Sequence, residues 1–195
     1  MNHSRGLIAA AVIGAMAVAG CGDTETTETA APSETSATPA PAEESTTSTP
    51  EVSDGVLTVE AVDYAFKNLP ESVPEGTEIK LTNTAKEEIH EMVAFKLPDD
   101  ETRSADEIVA GADPAGPPPG EFQGVLVAEP GEDGFAPTGP MVLTEPGRYL
   151  FLCSVPTGAD PAEVIKIGQE GGQASEAEGG PPHLVHGMYG AVTVE

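Results

Sequence analysis

Four side chains in the middle and last third of the chain are of types that bind a transition metal. Cys153 follows an apolar, strand-like stretch at 147–152, and His183 and Met188 lie five positions apart before the last strand-like stretch. His90 lies upstream, at the start of another apolar stretch. Two imidazoles, a thiolate and a thioether are the donor set of a mononuclear copper electron-transfer site. The residue types therefore predict such a site, provided that the fold brings the four together.

The elements that must position these residues are predicted to be β-strands, in a single folded domain at 53–195. Alternating or β-branched apolar residues, bounded by Gly, Pro and polar turns, indicate strands. About six or seven short strands are expected from this pattern, near 56–64, 77–83, 89–97, 124–128 (an edge strand), 141–144, 149–153 and 191–194. An all-β chain of this size must stack two sheets to form a core. We therefore predict an all-β, Greek-key β-sandwich.

Two segments interrupt the strand pattern. In the excursion at 98–121, Ser104 is predicted to cap a short helix, with Glu107 three residues later as its capping-box partner. The segment at 157–180 is polar, acidic and rich in glycine, and is predicted to be a surface loop.

The N-terminal part is predicted to be a signal peptide (1–20) followed by a disordered tether (21–52). Arg5 precedes an apolar run that is too short to span a bilayer, which needs about 20 apolar residues. The run ends in Val-Ala-Gly-Cys, which resembles the bacterial lipobox and implies a lipid on Cys21. The alternative is an ordinary secretory signal with a chance cysteine. The tether consists mostly of Thr, Glu, Ala, Pro and Ser, which cannot bury enough apolar surface to fold.

Composition limits the classes of function. The net charge is −25, from 33 acidic against 8 basic residues, which excludes the basic surface that nucleic-acid binding requires. It is compatible with docking to a basic partner. The sequence contains no nucleophile motif, phosphate-binding loop or catalytic carboxylate pair, so we do not expect an enzyme. Cys21 and Cys153 are the only cysteines, so a lipid on Cys21 leaves Cys153 without a disulfide partner.

The segments around these residues resemble a known family. The pattern Gly147-x-Tyr-x-Phe-x-Cys153-x-x-Pro, continued by His183-x-x-x-Gly-Met188-x-Gly-x-Val-x-Val, resembles the C-terminal signature of the cupredoxins, the plastocyanin and azurin type of blue-copper protein. Asn83, followed by a turn and then His90, resembles the segment of their first histidine. The resemblance implies a cupredoxin-type sandwich and one type 1 copper ion. It implies His90, Cys153 and His183 as equatorial ligands and Met188 as the axial ligand.

The sequence departs from this pattern in two places. Thirty positions separate Cys153 from His183, whereas the family usually has only a few, so we expect an insertion that leaves both flanks of the short loop intact. Glu91 follows the first histidine, where the family usually has Asn or Ser to brace the cysteine-bearing loop. His186 is an alternative ligand to His183, and otherwise a surface group near the copper.

The expected function is one-electron transfer by a lipid-anchored protein on the outer face of a membrane in the cell envelope, periplasmic or extracellular. Its partners would be the membrane, through the lipid, and one or more redox proteins, with a basic surface favoured. Two alternatives remain. One is copper binding and delivery, for which an exposed His186–Met188 pair would be suited. The other is a metal-free interaction module in which Cys153 and Met188 are core residues.

Overall fold

In a computed structural model, residues 52–112 and 117–195 are described. The predicted signal peptide and nearly all of the predicted tether, including Cys21, lie outside these residues. The described strands are β1 (Val56–Val62), β2 (Ala65–Lys67), β3 (Ser72–Val73), β4 (Thr77–Asn83), β5 (His90–Lys96), β6 (Glu121–Ala128), β7 (Met141–Leu143), β8 (Gly147–Leu152) and β9 (Tyr189–Val194). The helices are α1 (Ala105–Ala110) and α2 (Pro161–Gln169), with 3₁₀ turns at Ala174–Glu176 and His183–His186. No helix among the described residues is long and apolar enough to cross a membrane.

The strands form two mixed sheets, which confirms the predicted all-β sandwich. One sheet has the order β2-β1-β4-β7 and the other the order β3-β9-β8-β5-β6. β1 pairs in parallel with β4, and β3 pairs in parallel with β9, whereas the other pairs are antiparallel. Several strands that are neighbours in a sheet are distant in sequence. The chain therefore crosses between the two sheets, as in a Greek-key topology.

The core lies between the sheets and draws on every long strand. β4 alternates buried Ile79 and Leu81 with more exposed residues, as its period-two pattern predicts. β5 and β8 lie inside the five-stranded sheet, and most of their residues are buried on both faces. Tyr149, Phe151 and Cys153 share the buried face of β8 and its continuation, as predicted.

Helix α1 forms as its sequence predicts. Ser104 accepts a hydrogen bond from the backbone N–H of Glu107, and the Glu107 carboxylate accepts one from the backbone N–H of Ser104. This is the reciprocal capping box, and it satisfies two N–H groups that the first helical turn leaves without partners.

The prediction of a surface loop at 157–180 is wrong. Asp160 caps α2 by accepting from the backbone N–H groups of Ala162 and Glu163, and Pro161 occupies the first turn. A cap followed by proline is a strong helix start. Val164 is buried, as are Ala174 in the 3₁₀ turn that follows and Ala177 directly after it, so the segment packs against the sandwich core.

Strand number and extent also differ from expectation. The structure has nine strands within the described residues, because short segments such as β2 and β3 pair with longer strands. The first predicted strand ends at Val62, and Asp63 and Tyr64 form the turn into β2. β6 begins three residues earlier than expected and lies at the edge of its sheet, as predicted.

Candidate metal centre

Three of the predicted ligands converge at one end of the sandwich. The Nδ1 atoms of His90 and His183 lie 3.1 Å apart, and the sulfur of Cys153 lies 3.4 Å from Nδ1 of His183. Ligand atoms of the three residues all lie within 4.8 Å of one another. All three residues are 0% exposed. An imidazole pair and a thiol that face one point inside a protein provide the N₂S donors of a type 1 copper site.

His90 reaches this point because it begins β5, where the strand leaves the turn at 84–89. Asn83 closes that turn: its side-chain amide donates to the carbonyls of Glu88 and Ala128, at 2.9 and 3.0 Å, and its side-chain oxygen accepts from Ala85 N–H at 2.9 Å. The buried amide therefore fixes the start of β5 against β6.

Cys153 is held between β5 and the segment that carries His183 and Met188. Its sulfur accepts from the backbone N–H of Glu91 at 3.5 Å, and its own N–H donates to the carbonyl of Met188 at 3.0 Å. Its carbonyl accepts from the N–H of Leu184 at 2.9 Å. These hydrogen bonds to backbone groups thus fix the position of the Cys153 sulfur.

The long insertion leaves and rejoins the site through a hydrogen-bonded neck. Thr157 donates its backbone N–H to Pro181 O and accepts from Gly180 N–H, at 3.1 and 2.8 Å, and Pro156 and Pro182 form an isolated antiparallel bridge. Closer to the site, His183 N–H donates to Val155 O at 2.9 Å. The two flanks of the insertion therefore meet as they would in a short loop, as predicted from the sequence.

Met188 and His186 have different environments. Gly187 adopts φ 105°, a conformation that side chains disfavour, and this reverses the chain after the 3₁₀ turn. Met188 returns to the interior, is 0% exposed, and donates its N–H to the carbonyl of His183 at 3.2 Å. His186 is exposed and lies outside the three-residue cluster. An exposed His186–Met188 pair, which copper delivery would use, is therefore not present.

Burial keeps the site neutral before a metal binds. It lowers the pKa of His90 to about 3, with the neighbouring His183 adding to the effect. It also lowers the pKa of His183, against the opposing influence of Glu88. Burial, together with the charges of Glu91 and Glu88, raises the pKa of the Cys153 thiol far above its usual value. Neutral imidazoles are the form that binds metals, and a bound cation would displace the thiol proton.

Glu91 contacts the loop that carries Cys153. In the family that the sequence resembles, Asn or Ser at this position would brace that loop. Its carboxylate accepts from the backbone N–H of Ser154 at 3.1 Å and from the Ser154 hydroxyl. The side chain is buried, and burial raises the pKa of Glu91, while the two bonds from Ser154 act in the opposite direction. A carboxylate at position 91 thus takes the place of the expected amide or hydroxyl group, and it still contacts the loop that carries Cys153.

The donor set fits a soft, electron-transferring metal. Its two imidazole nitrogens and one sulfur come from three buried residues, His90, Cys153 and His183. A sandwich with His-Cys-His donors at one end is the architecture that the sequence resemblance implied. The described residues thus have the two-sheet sandwich and the clustered donors that the resemblance to cupredoxins implied.

The chain has distant similarity to several solved structures. The chain is similar to dithionite-reduced auracyanin from the photosynthetic bacterium Roseiflexus castenholzii, with 22% identity over 72% of this chain and 97% of that chain, at a TM-score of 0.42. It is similar to auracyanin A, a "blue" copper protein from Chloroflexus aurantiacus, with 18% identity over 72% and 99% of the two chains, at a TM-score of 0.37. For reduced rusticyanin the identity is 14%, the shares are 73% and 81%, and the TM-score is 0.35. No family model matches the chain, and no curated protein is significantly similar.

Proposed function

We propose that this protein is an electron carrier that binds one type 1 copper ion through His90, Cys153 and His183, with Met188 as the axial ligand. The convergence of the two Nδ1 atoms and the cysteine sulfur on one buried point supports the proposal. A bound copper ion would supply a one-electron redox couple at this point. The chain contributes rigid backbone contacts to its donors, which limit rearrangement between oxidation states.

Electron carriage is favoured over catalysis and over copper delivery by the burial of the donors. A catalytic metal site keeps a position open for substrate, and a delivery site must release its ion. Here each of the four proposed ligands is 0% exposed. Burial therefore favours electron carriage over copper delivery. A metal-free interaction module would also have Cys153 and Met188 buried, and copper loading distinguishes it from an electron carrier.

The exposed His186 provides a connection between the site and the surface. The ring of Tyr64 lies edge-on to His183, with centroids 5.1 Å apart, and 4.9 Å from the ring of His186. We place the electron exchange point at His186. A variant His186→Ala should keep the copper spectrum and slow electron exchange.

Anchoring and partners extend the proposal to the whole chain. A lipid on Cys21 and a tether at 21–52 would hold the domain at the outer face of a membrane in the cell envelope. Most of the acidic side chains in the insertion are exposed, including those of Asp160, Glu170, Glu176 and Glu178. Since the neck joins this segment to the His183 loop, we propose docking to redox proteins with basic surfaces.

The deciding experiment is copper loading of the purified protein. We expect an intense blue colour from sulfur-to-copper charge transfer, with a stoichiometry of one ion per chain and reversible reduction. Cys153→Ser should lose the colour, whereas His186→Ala should retain it. A wild-type protein that stays colourless with copper would support the metal-free module. Rapid loss of the ion to a chelator would support delivery.

A further inference from the structure

The carboxylate of Glu88 joins three segments around His183. Glu88 is half-buried in the turn before β5, two residues before His90. Its Oε2 lies 3.2 Å from Nε2 of His183, and its two oxygens accept from the backbone N–H of Gly158 at 3.0 and 3.2 Å. Its Oε1 also accepts from the hydroxyl of Tyr64 at 3.3 Å. One side chain thus contacts a proposed ligand, the start of the insertion and the β1–β2 turn.

The contact with His183 determines which ring nitrogen carries the proton. An ionised carboxylate can only accept hydrogen bonds, so Nε2 of His183 must be the donor. A neutral imidazole with its proton on Nε2 has a lone pair on Nδ1. That lone pair faces Nδ1 of His90 and the sulfur of Cys153. Glu88 therefore selects the tautomer that metal binding at this point requires.

Tyr64, which contacts both Glu88 and His183, has an unfavourable backbone conformation. Tyr64 adopts φ 60°, in the left-handed region that bulky side chains disfavour. Such a conformation is unfavourable and persists where surrounding contacts determine it. Here the hydroxyl bonds to Glu88, and the ring packs against His183.

The backbone of Glu88 is fixed as well. Its carbonyl accepts from the buried amide of Asn83 at 2.9 Å. The contact with Gly158 then ties the first residue beyond the neck to this fixed point. Glu88 lies in the turn before β5. It consequently supplies some of the constraint that a short loop between Cys153 and His183 would provide.

We propose that Glu88 is a positioning residue of the metal centre, which orients His183 in its Nδ1-binding tautomer and fixes the start of the insertion. The proposal rests on the proposed function for the identity of the metal. The link between Glu88 and His183 can be tested without metal. Removal of a partner of this kind typically weakens metal affinity by about 10–100-fold.

The test compares Glu88→Ala and Glu88→Gln with Glu87→Gln, an exposed neighbour that loses the same charge. In the metal-free wild type, ¹⁵N NMR should show the His183 proton on Nε2. Glu88→Ala should give a mixture of tautomers and faster exchange of the Gly158 amide. Its affinity for copper(II) should fall by about 10–100-fold, with Glu88→Gln between Ala and wild type. Glu87→Gln should match wild type in every measurement.

Unchanged His183 tautomer and Gly158 exchange in Glu88→Ala would overturn the proposal, as would a copper affinity equal to that of Glu87→Gln. If Glu88→Ala does not fold, Glu88→Gln keeps the shape of the side chain and decides the question by the same measurements. A wild type that binds no copper, with a tautomer that still depends on Glu88, would refute the proposed function and leave the link between Glu88 and His183 standing.

Discussion

Replacement of Asn83 should destabilise the domain more than any ordinary surface substitution. Its side chain is 1% exposed and makes three hydrogen bonds to backbone groups, at 2.9, 3.0 and 2.9 Å. At about 1 kcal/mol for each bond, Asn83→Ala should lower the free energy of unfolding by about 3 kcal/mol. Carbonyls left buried without a partner cost about 1–3 kcal/mol each, which raises the expected loss toward about 5 kcal/mol.

Urea unfolding of the copper-free protein measures this loss. Asn83→Asp keeps the volume and the acceptor for Ala85 N–H, but it places a carboxylate against the carbonyls of Glu88 and Ala128. It should therefore be at least as destabilising as Asn83→Ala. The control is Thr82→Ala, which removes an exposed bond to Asp133 and should change stability by no more than about 0.5 kcal/mol.

The reasoning also requires an effect on the site. Because Asn83 fixes the carbonyl of Glu88 and the start of β5, copper affinity should fall in Asn83→Ala and remain unchanged in Thr82→Ala. A stability loss below about 1 kcal/mol in Asn83→Ala would refute the assignment of three buried bonds. Unchanged copper affinity would refute the connection from this turn to His90.

Three further predictions concern the metal centre and the insertion. Met188→Leu conserves core volume and should cost less than about 1.5 kcal/mol in urea unfolding, while loss of the thioether raises the reduction potential; an unchanged potential in voltammetry would exclude Met188 as a ligand. Replacement of residues 159–179 by a short Gly/Ser linker should lower stability, because Val164 leaves the core, but should retain the copper spectrum; loss of the colour would show that the neck alone does not hold the ligands. Electron transfer with a cationic reagent should slow as salt is added, since salt screens the acidic surface; stopped-flow rates that do not depend on salt would contradict docking through that surface.

The fold could be predicted largely because strand patterns and turn residues are local signals. The capping box at Ser104 and Glu107 is complete within four residues, so its sequence is sufficient to identify it. Strands β2 and β3 have three and two residues, too few for a periodic pattern, and they are defined by their partners. Helix α2 was missed because the acidic, glycine-rich composition of its surroundings outweighed the cap formed by Asp160 and Pro161.

The three clustered donors could be predicted because residue type and spacing carry the signal. Their supporting residues could not. Glu91 contacts Ser154 over 63 positions, and Glu88 contacts His183 over 95. Acidic residues are abundant in this chain, so neither has a distinguishing local pattern. The sequence indicates that Glu91 departs from the family, and only the structure shows that its carboxylate reaches Ser154.

The complete burial of the proposed ligands has a consequence for small molecules. His90, Cys153, His183 and Met188 are each 0% exposed, and Glu88 and Tyr64 lie against the outer edge of His183. Azide, cyanide or dioxygen would have to displace packed side chains to reach a metal held there. The centre would therefore exchange electrons by tunnelling through the surrounding protein. Added anions would not inhibit it readily. Dioxygen would not bind the metal directly, and the radicals that its inner-sphere reduction generates would not form there.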